Sequence, residues 1–179
     1  MTDTEALRIK PPTTRMVRVF VTLSEEQQEL AVQVGIERNR ACKESGTENH
    51  RISNQDDEQM NIDGVAAEIA WFHYHGLLPD LTTTLPSPDH DGVWNGLLVD
   101  VKSTKYMDGK LITALKSRTK MVDVYGFCAG VFPRYQVVGH MMTVDFINDA
   151  HIGDLGYGPT YIATRYEPKF VPYFEEVAV

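Results

Sequence analysis

Two aspartates and a lysine flank the pair Asn95-Gly96 at spacings that would bring their side chains together. An Asn-Gly pair predicts a two-residue β-hairpin loop, because a type I′ turn requires positive φ at both central residues. In that register Asp91 lies opposite Asp100, and opposed carboxylates about 5 Å apart repel each other. Because side chains alternate along a strand, one face is predicted to carry Asp89, Asp91, Asp100 and Lys102. A cation between the two opposed acids would offset their repulsion, so the register predicts a metal site.

The same stretch resembles the signature of the PD-(D/E)XK nuclease superfamily. Pro88-Asp89 and the triplet Asp100-Val101-Lys102 stand in the order of that signature, on consecutive strands of one hairpin. Upstream, the segment 64–72 is similar to the helix that supplies a further acidic ligand in many members, and here it contains Glu68. The resemblance covers roughly residues 57–139. It implies an α/β fold with a restriction-endonuclease-like core, in which α-helices flank a central mixed β-sheet.

The resemblance also implies an activity, the magnesium-dependent hydrolysis of phosphodiester bonds, with DNA as the favoured substrate and RNA left open. Magnesium prefers carboxylate, carbonyl and water oxygens, and Mn²⁺ is expected to substitute for it. Asp91 and Asp100 are the expected main ligands, with Glu68 and the Val101 carbonyl as further candidates. Lys102 is expected to orient the attacking water or to stabilise negative charge on the scissile phosphate.

Two assignments within this set have alternatives. Asp89 is the literal aspartate of the motif, whereas the hairpin register favours Asp91 because that residue faces Asp100. Glu68 lies among apolar residues of a predicted helix, where a glutamate is costly to bury unless it is paired or bound to metal. The other interpretation places Glu68 at the margin of the apolar stripe, facing water. We favour Asp91 and Glu68 as ligands.

Other functions fit the same residues. One is a catalytically inactive protein of the same fold that binds nucleic acid. A second is an accessory factor whose acidic surface contacts another protein, and a third interpretation is an ordinary hairpin with surface charges. The intact triplet Asp100-Val101-Lys102 favours the enzyme over the inactive binding protein.

The net charge and the local distribution of charge point in opposite directions on whether the protein binds nucleic acid. The net charge is −8, from 17 basic and 25 acidic residues, and this balance weighs against broad affinity for phosphates. Positive charge is nevertheless concentrated after the motif, at Lys102, Lys105, Lys110, Lys116, Arg118 and Lys120. This segment is either a basic rim around the site or a solvated, lysine-rich stretch, and on this feature alone the solvated stretch is favoured.

Length and composition predict a single domain over residues 1–179, with a flexible arm at residues 1–15. Cys42 and Cys128 form no metal-binding spacing, which is typical of a reduced, cytoplasmic protein. The first residues show no basic segment followed by an apolar run, and no apolar stretch is long enough to cross a bilayer. We therefore expect a cytoplasmic protein without membrane contact, and we leave a homo-oligomer open.

The elements that would position the site begin with a strand near Met16, where apolar residues alternate. A first helix follows, with Ser24 as its N-cap, Gln27 at capping-box spacing and an end near Lys43. Arg38 on this helix either reaches a phosphate backbone or is an exposed surface residue. The polar stretch 44–57 is predicted to be a loop.

A second helix is predicted from about Glu58 to His75, with Gly76 as the glycine that ends it. His73 and His75 lie two positions apart and do not share a helix face, so we reject a zinc site there. We expect both histidines to act as cations at the C-terminal end of the helix dipole.

Further strands are predicted after the hairpin, at residues 111–115, 122–131, 135–140 and 161–166. The second of these is apolar enough to be buried on both faces, and it should form a hairpin with the third through Pro133-Arg134. A short helix capped by Thr143 is predicted at residues 144–149, and the tail after Phe170 is expected to pack on the domain.

Overall fold

The computed structural model describes residues 14–46 and 56–178 of the protein. Two short 3₁₀ helices lie at Leu115–Thr119 and Asp149–His151. The other elements, in chain order, are β1 (Thr14–Arg18), β2 (Phe20–Thr22), α1 (Glu25–Ser45), α2 (Asp57–Tyr74), β3 (Gly92–Trp94), β4 (Leu97–Thr104), β5 (Leu111–Ala114), β6 (Val124–Val131), β7 (Arg134–Met142), α3 (Thr143–Phe146), β8 (Ile152–Asp154), β9 (Pro159–Ala163), β10 (Val171–Pro172) and β11 (Phe174–Ala178).

A six-stranded mixed sheet forms the centre of the fold, in the order β10-β7-β6-β4-β3, with β2 also paired to β7. β4 and β6 run parallel, while the remaining neighbours are antiparallel. A parallel pair needs a crossover, and here the crossover contains β5 and a 3₁₀ helix. The mixed α/β class predicted from the sequence is confirmed, and the finer prediction of a restriction-endonuclease-like core stays a prediction.

Helices α1 and α2 form a layer on one face of this sheet. α1 begins at the capping box formed by Ser24 and Gln27, as predicted, and α2 begins at the N-cap Asp56. The two helices approach closely at Gly35, where an added Cβ would lie 2.7 Å from the Cα of Ile62. This contact fixes the middle of α1 against the N-terminal half of α2, and Gln27 at the start of α1 contacts His73 near the end of α2, so the two helices run antiparallel.

The packing of α2 on the sheet depends on small residues and one large ring. Ala66, Ala67 and Ala70 are fully buried and allow the helix backbone to lie near the strands. Trp71 is also fully buried and lies over Gly126 of β6, where an added Cβ would be 2.8 Å from the indole. Burial of this apolar helix face is the main favourable term that holds α2 in place.

The opposite face of the central sheet is covered by a three-stranded sheet in the order β5-β9-β8, together with α3. Tyr125 and Phe127 of β6 point into this second core, where Phe146 and Tyr161 pack beside them. β6 is therefore buried on both faces, as its apolar sequence predicts. A separate two-stranded ribbon pairs β1 with β11.

The predicted hairpin is confirmed from Gly92 to Val99, but the predicted strand pair of Asp91 with Asp100 is not formed, because β3 begins only at Gly92. Asn95 and Gly96 have φ values of 51° and 79°, the positive values that a type I′ loop requires. The strands pair Trp94 with Leu97, Val93 with Leu98 and Gly92 with Val99. The hairpin between β6 and β7 through Pro133 is confirmed as well.

Several predicted boundaries differ. The flexible arm assigned to residues 1–15 lies outside the described residues except for Thr14 and Arg15, which belong to β1 because the tail strand β11 pairs with them. Most of the loop predicted at 44–57 lies outside the described residues, and at its two ends α1 continues to Ser45 and α2 begins at Asp57. The strand predicted at residues 161–166 is β9, which begins at Pro159 and ends at Ala163.

Two predicted caps are wrong. Thr143 is the first residue of α3, whose N-cap is Met142, and no side chain caps that helix. His75 lies at the C-cap of α2, but it packs among the rings of Trp71, Trp94 and Tyr173. Burial, together with the nearby His140, lowers the pKa of His75 to about 4, so the ring is neutral rather than a cation at pH 7. Gly76 does adopt the left-handed conformation expected of a residue that ends a helix.

None of the helices in the described ranges is both long enough and apolar enough to span a bilayer.

The neutral His75 predicts an acid-sensitive fold. The pKa of His75 in the folded protein lies below the ordinary value of 6.5. Between pH 6.5 and pH 4 only the unfolded chain takes up the proton. The contribution of His75 to stability is therefore fully present above pH 6.5 and is lost as pH falls toward 4. The free energy of unfolding in urea should be lower at pH 4.5 than at pH 7. In His75→Phe this decrease should be smaller than in wild type by about 1 to 2 kcal/mol, a value reduced because the ring is partly exposed. An equal loss in both proteins would contradict this account.

Candidate active site

The site lies where β4 extends beyond its pairing with β3. β3 pairs with β4 only as far as Gly92 and Val99, although β4 continues to Thr104. We call the side of residues 100–104 that faces away from β6 the free edge of β4, because in the described ranges no strand pairs with it there. A strand edge leaves backbone groups that need other partners.

Asp91 supplies a hydrogen-bond partner for the backbone of this edge. Its backbone N–H donates to the Val99 carbonyl at 2.7 Å, and its carboxylate Oδ2 accepts the N–H of Val101, also at 2.7 Å. The side chain therefore continues the ladder in place of a strand. In a strand, the N–H and C=O of one residue point toward the same neighbour, so the Val101 carbonyl is directed to this edge as well.

Asp100 and Lys102 point to the face of the sheet opposite α2. They are in register with Tyr125 and Phe127 of β6, whose side chains lie in the second core. Asp100 is 2% exposed, and one of its oxygens accepts a bond from the Lys102 ammonium group. The other oxygen lies 3.1 Å from Nζ of Lys120, which follows the 3₁₀ helix in the crossover.

Glu68 reaches the same region from the middle of α2. It is 7% exposed, and Nη1 of Arg38 lies 2.9 Å from each of its carboxylate oxygens. The guanidinium also donates to the carbonyls of Asp80 and Thr82, at 2.8 and 3.2 Å. Arg38 thus joins α1, α2 and the connector that leads to Asp91, and it is neither a free surface residue nor available to a phosphate backbone.

The carboxylates influence one another strongly. Burial raises the pKa of Asp91 well above its usual value, and the negative charges of Glu68 and Asp100 raise it further. Burial likewise raises the pKa of Glu68, and Asp100 adds to this effect although Arg38 opposes it. The charges of Glu68, Asp91 and Asp100 are therefore near enough to one another to affect the pKa of their neighbours.

Lys102 is the permanent cation of the cluster. Burial alone would lower its pKa, but the carboxylates of Asp100 and Asp91 outweigh burial and hold the pKa above its ordinary value. The side chain is only 28% exposed, so its charge is directed at neighbouring groups rather than at bulk water. A lysine that stays protonated at neutral pH cannot accept a proton, but it can orient a water molecule or stabilise an anion.

The structure thus brings together Glu68, Asp91, Asp100 and Lys102, with the backbone of Val101 between them. Asp89 lies apart: it is exposed, and its carboxylate accepts the N–H of Met121 at 3.3 Å. The alternation that placed Asp89 on the same face does not hold, because β3 begins only at Gly92 and Asp89 belongs to the preceding loop.

Sequence reasoning missed the roles of Arg38 and Lys120. Arg38 lies 30 residues before Glu68, and no local pattern marks their contact. The sequence marks Lys120 only as one member of a basic segment. Together with Lys102, these residues place one cation on Glu68 and two on Asp100. Neighbouring members of the basic segment are used elsewhere, since Arg118 pairs with Asp149 and Lys105 lies over the Tyr106 ring.

Gln136 on the neighbouring strand β7 is a buried structural residue. Its side-chain oxygen accepts a bond from Arg165 at 3.3 Å. It pairs with Ala129 of β6, which lies level with the last residue of β4, whereas Asp100 pairs with Tyr125.

A polar cleft of about 190 Å³ opens beside the cluster. Its walls come from α1, the start of α2 and the connector between α2 and β3, and they include Arg38, Asn61, Thr82, His90 and Asp91. Asp91 is therefore both a member of the acidic cluster and part of the cleft wall. A molecule in the cleft would lie next to the Asp91 carboxylate.

Carboxylate oxygens and a backbone carbonyl are the donors that Mg²⁺ prefers, so the types of residue present fit this ion. In the described ranges, however, no group of three or more His, Cys, Asp or Glu side chains is arranged to hold a metal ion. The bonds explain this arrangement: Arg38 binds both oxygens of Glu68, and two lysines bind those of Asp100. A divalent ion would have to replace at least one of these cations.

Comparison with known proteins gives no relative: no protein-family model, curated protein or solved structure matches this chain. The resemblance to the PD-(D/E)XK superfamily therefore depends on the few motif residues of the sequence. Those residues lie on α2, before β3 and on β4, in the order that the motif would require.

Removing Arg38 should destabilise the protein. Arg38→Ala leaves the buried Glu68 carboxylate without its cation and frees two backbone carbonyls, at an expected cost of about 3 to 5 kcal/mol. Urea unfolding at pH 7 measures this cost. Arg40→Ala, an exposed position on the same helix, should stay within about 0.5 kcal/mol of wild type. The double variant with Glu68→Gln and Arg38→Met should recover part of the lost stability. Equal stability of Arg38→Ala and Arg40→Ala would contradict the role assigned to Arg38.

Proposed function

We propose that the protein is a metal-dependent nuclease of the PD-(D/E)XK type, which hydrolyses phosphodiester bonds with Mg²⁺ as cofactor. One observation carries this proposal: at the free edge of β4 the Asp91 carboxylate accepts the Val101 N–H and Lys102 binds the buried Asp100, while the charges of Glu68 and Asp100 raise the pKa of Asp91. DNA is the favoured substrate and RNA is the alternative. The cytoplasmic location and the possible homo-oligomer stay predictions.

The physical cost of the cluster supports a metal-binding role. Gathering three acids in a partly buried place is unfavourable, because each carboxylate loses water and repels the others. A purely structural network would be replaced at little cost by apolar side chains. Acids held together against this cost are typical of functional sites, where perturbed pKa values concentrate.

The proposed roles follow from the position of each group. Asp91 and Asp100 would bind the ion from the two sides of the edge, with the Val101 carbonyl and Glu68 completing the protein ligands. When bound, Mg²⁺ would supply Lewis acidity and lower the pKa of an attacking water. Lys102, held protonated by Asp100 and Asp91, would stabilise the negative charge that develops on the scissile phosphate.

The scaffold is suited to this task. β4 is an interior strand held by β6 along its whole length, so Asp100 and Lys102 are fixed by a continuous ladder. Glu68 lies on a helix anchored by Trp71, and Asp91 is oriented by the Val101 N–H. Sites supported by strands and helices hold their geometry better than sites on loops.

A second function is favoured by a different observation. The carboxylates of Glu68 and Asp100 are already paired with Arg38, Lys102 and Lys120, so these residues would form a stable ion-pair network without metal. This arrangement supports a catalytically inactive protein that binds nucleic acid or acts as an accessory factor. The two functions differ in their response to Mg²⁺.

Cleavage assays test the nuclease directly. Single-stranded, duplex and branched DNA, and RNA, would be incubated with Mg²⁺, Mn²⁺ or a chelator. Wild type should cleave with either metal and not with the chelator. Asp91→Asn, Asp100→Asn and Lys102→Met should each lower the rate by at least about 10²-fold, because each removes a ligand or the charge that stabilises the transition state.

Asp89→Asn is the matched control, since its carboxylate lies outside the cluster, and it should retain cleavage. Circular dichroism would confirm that every variant is folded. Loss of activity in Asp89→Asn with retention in Asp91→Asn would reverse the assignment of the motif aspartate. Full activity in both Asp100→Asn and Lys102→Met would remove the proposed site.

Metal binding should also raise the melting temperature of the protein. A ligand that binds only the folded state raises the melting temperature in proportion to its excess over Kd. Thermal unfolding of wild type should therefore shift upward with millimolar Mg²⁺, while Asp100→Asn should show little shift. Equal shifts in both proteins would place the ion elsewhere, and no shift in wild type would favour the inactive protein over the nuclease.

A further inference from the structure

We propose that Lys120 is a substrate-binding residue, which leaves Asp100 when the metal binds and then pairs with a phosphate of the nucleic acid. This inference rests on the proposed nuclease function. The PD-(D/E)XK motif assigns only one lysine, Lys102, whereas the structure places two ammonium groups on the same carboxylate. The second lysine lies 20 positions away from Asp100 in the sequence.

Binding of an ion at Asp100 requires a change in its contacts. Both oxygens of Asp100 are occupied in the structure, one by the Lys102 ammonium group and the other by that of Lys120. A divalent ion that binds Asp100 must therefore displace one of the two lysines. The displaced ammonium group keeps its positive charge and needs a new anionic partner, which a phosphodiester with its single negative charge supplies. Metal binding and substrate binding are thereby coupled through a protein cation.

Lys120 is the cation that can move. Arg38 is held by both oxygens of Glu68 and by two backbone carbonyls, so its release would break four contacts. Lys102 belongs to β4, whose backbone is fixed by the ladder with β6. Lys120 follows a 3₁₀ helix outside the sheet ladder, and its contacts to Asp100 and to the Asp89 carbonyl are 3.1 and 3.4 Å long.

The position of Lys120 also suits a phosphate. Its ammonium group lies on the Asp100 oxygen that Lys102 does not occupy, so the two lysines flank the carboxylate. A phosphodiester approaching a metal at Asp100 would therefore meet both ammonium groups. Lysine acts toward phosphate as a point charge on a flexible stem, and such a stem allows the move from carboxylate to phosphate without a change of the backbone.

The proposal predicts opposite effects of one substitution. In Lys120→Gln, Mg²⁺ no longer competes with this cation, so calorimetry should show Mg²⁺ binding about three- to fivefold tighter than in wild type, the order expected for one partly exposed ion pair. Nucleic-acid binding should weaken. Measured with duplex DNA and Ca²⁺, the slope of log K against log salt should fall by about 0.9, the value for one lost phosphate contact.

Two further variants make the result specific. Lys169→Gln removes an exposed lysine next to Phe170, which precedes β10 at the other edge of the sheet, and should leave both the Mg²⁺ affinity and the salt slope as in wild type. Lys120→Arg keeps the charge and should keep the salt slope, which shows that the position tolerates change. Gels of the binding samples would confirm intact DNA in Ca²⁺.

Unchanged or weaker Mg²⁺ binding in Lys120→Gln, or an unchanged salt slope, would overturn the role of Lys120. If wild type cleaves and Lys120→Gln matches it in Mg²⁺ affinity and slope, the assignment of Lys120 fails while the nuclease stands. If wild type does not cleave any substrate with Mg²⁺ or Mn²⁺, the nuclease itself fails, whatever the behaviour of Lys120.

Discussion

The bond between the Asp91 carboxylate and the Val101 N–H is the constraint on which the site depends. A strand edge must satisfy its backbone groups, and β3 is too short to do this for Val101. The side chain of Asp91 does so instead, at 2.7 Å. Because this bond fixes one oxygen of Asp91 on the edge, the carboxylate is held between Glu68 on one face of the sheet and Asp100 on the other.

Packing on both faces of the sheet converts this local bond into a rigid site. Glu68 can reach the edge because Ala66, Ala67 and Ala70 bring α2 close to the strands and Trp71 fits over Gly126. On the other face, Asp100 is enclosed beside Tyr125 and the second core. The acids are therefore crowded by the same packing that stabilises the fold. The fold tolerates this crowding because Arg38 neutralises Glu68 and two lysines neutralise Asp100.

The ion pairs divide into a structural part and a part at the sheet edge. The guanidinium of Arg38 is part of the scaffold, since it ties two helices and a connector together. Lys102 and Lys120 occupy the two oxygens of Asp100. Under the functions proposed above, a metal at Asp100 would displace Lys120, and this lysine would couple the binding of metal to that of substrate.

The sequence alone determined the parts that depend on neighbouring residues. Asn95-Gly96 set the hairpin register, Ser24 and Gln27 set the start of α1, and the apolar run in β6 showed that both its faces are covered, because turns, caps and periodicity are local properties. Glu68, Asp91, Asp100 and Lys102 followed from that register and from a short motif. Only the tertiary structure decided that Arg38 pairs with Glu68, that Lys120 joins Asp100 and that Asp89 turns away to Met121. These contacts depend on where separate elements lie after packing, and side-chain pairing over such distances leaves no periodic signal in a single sequence.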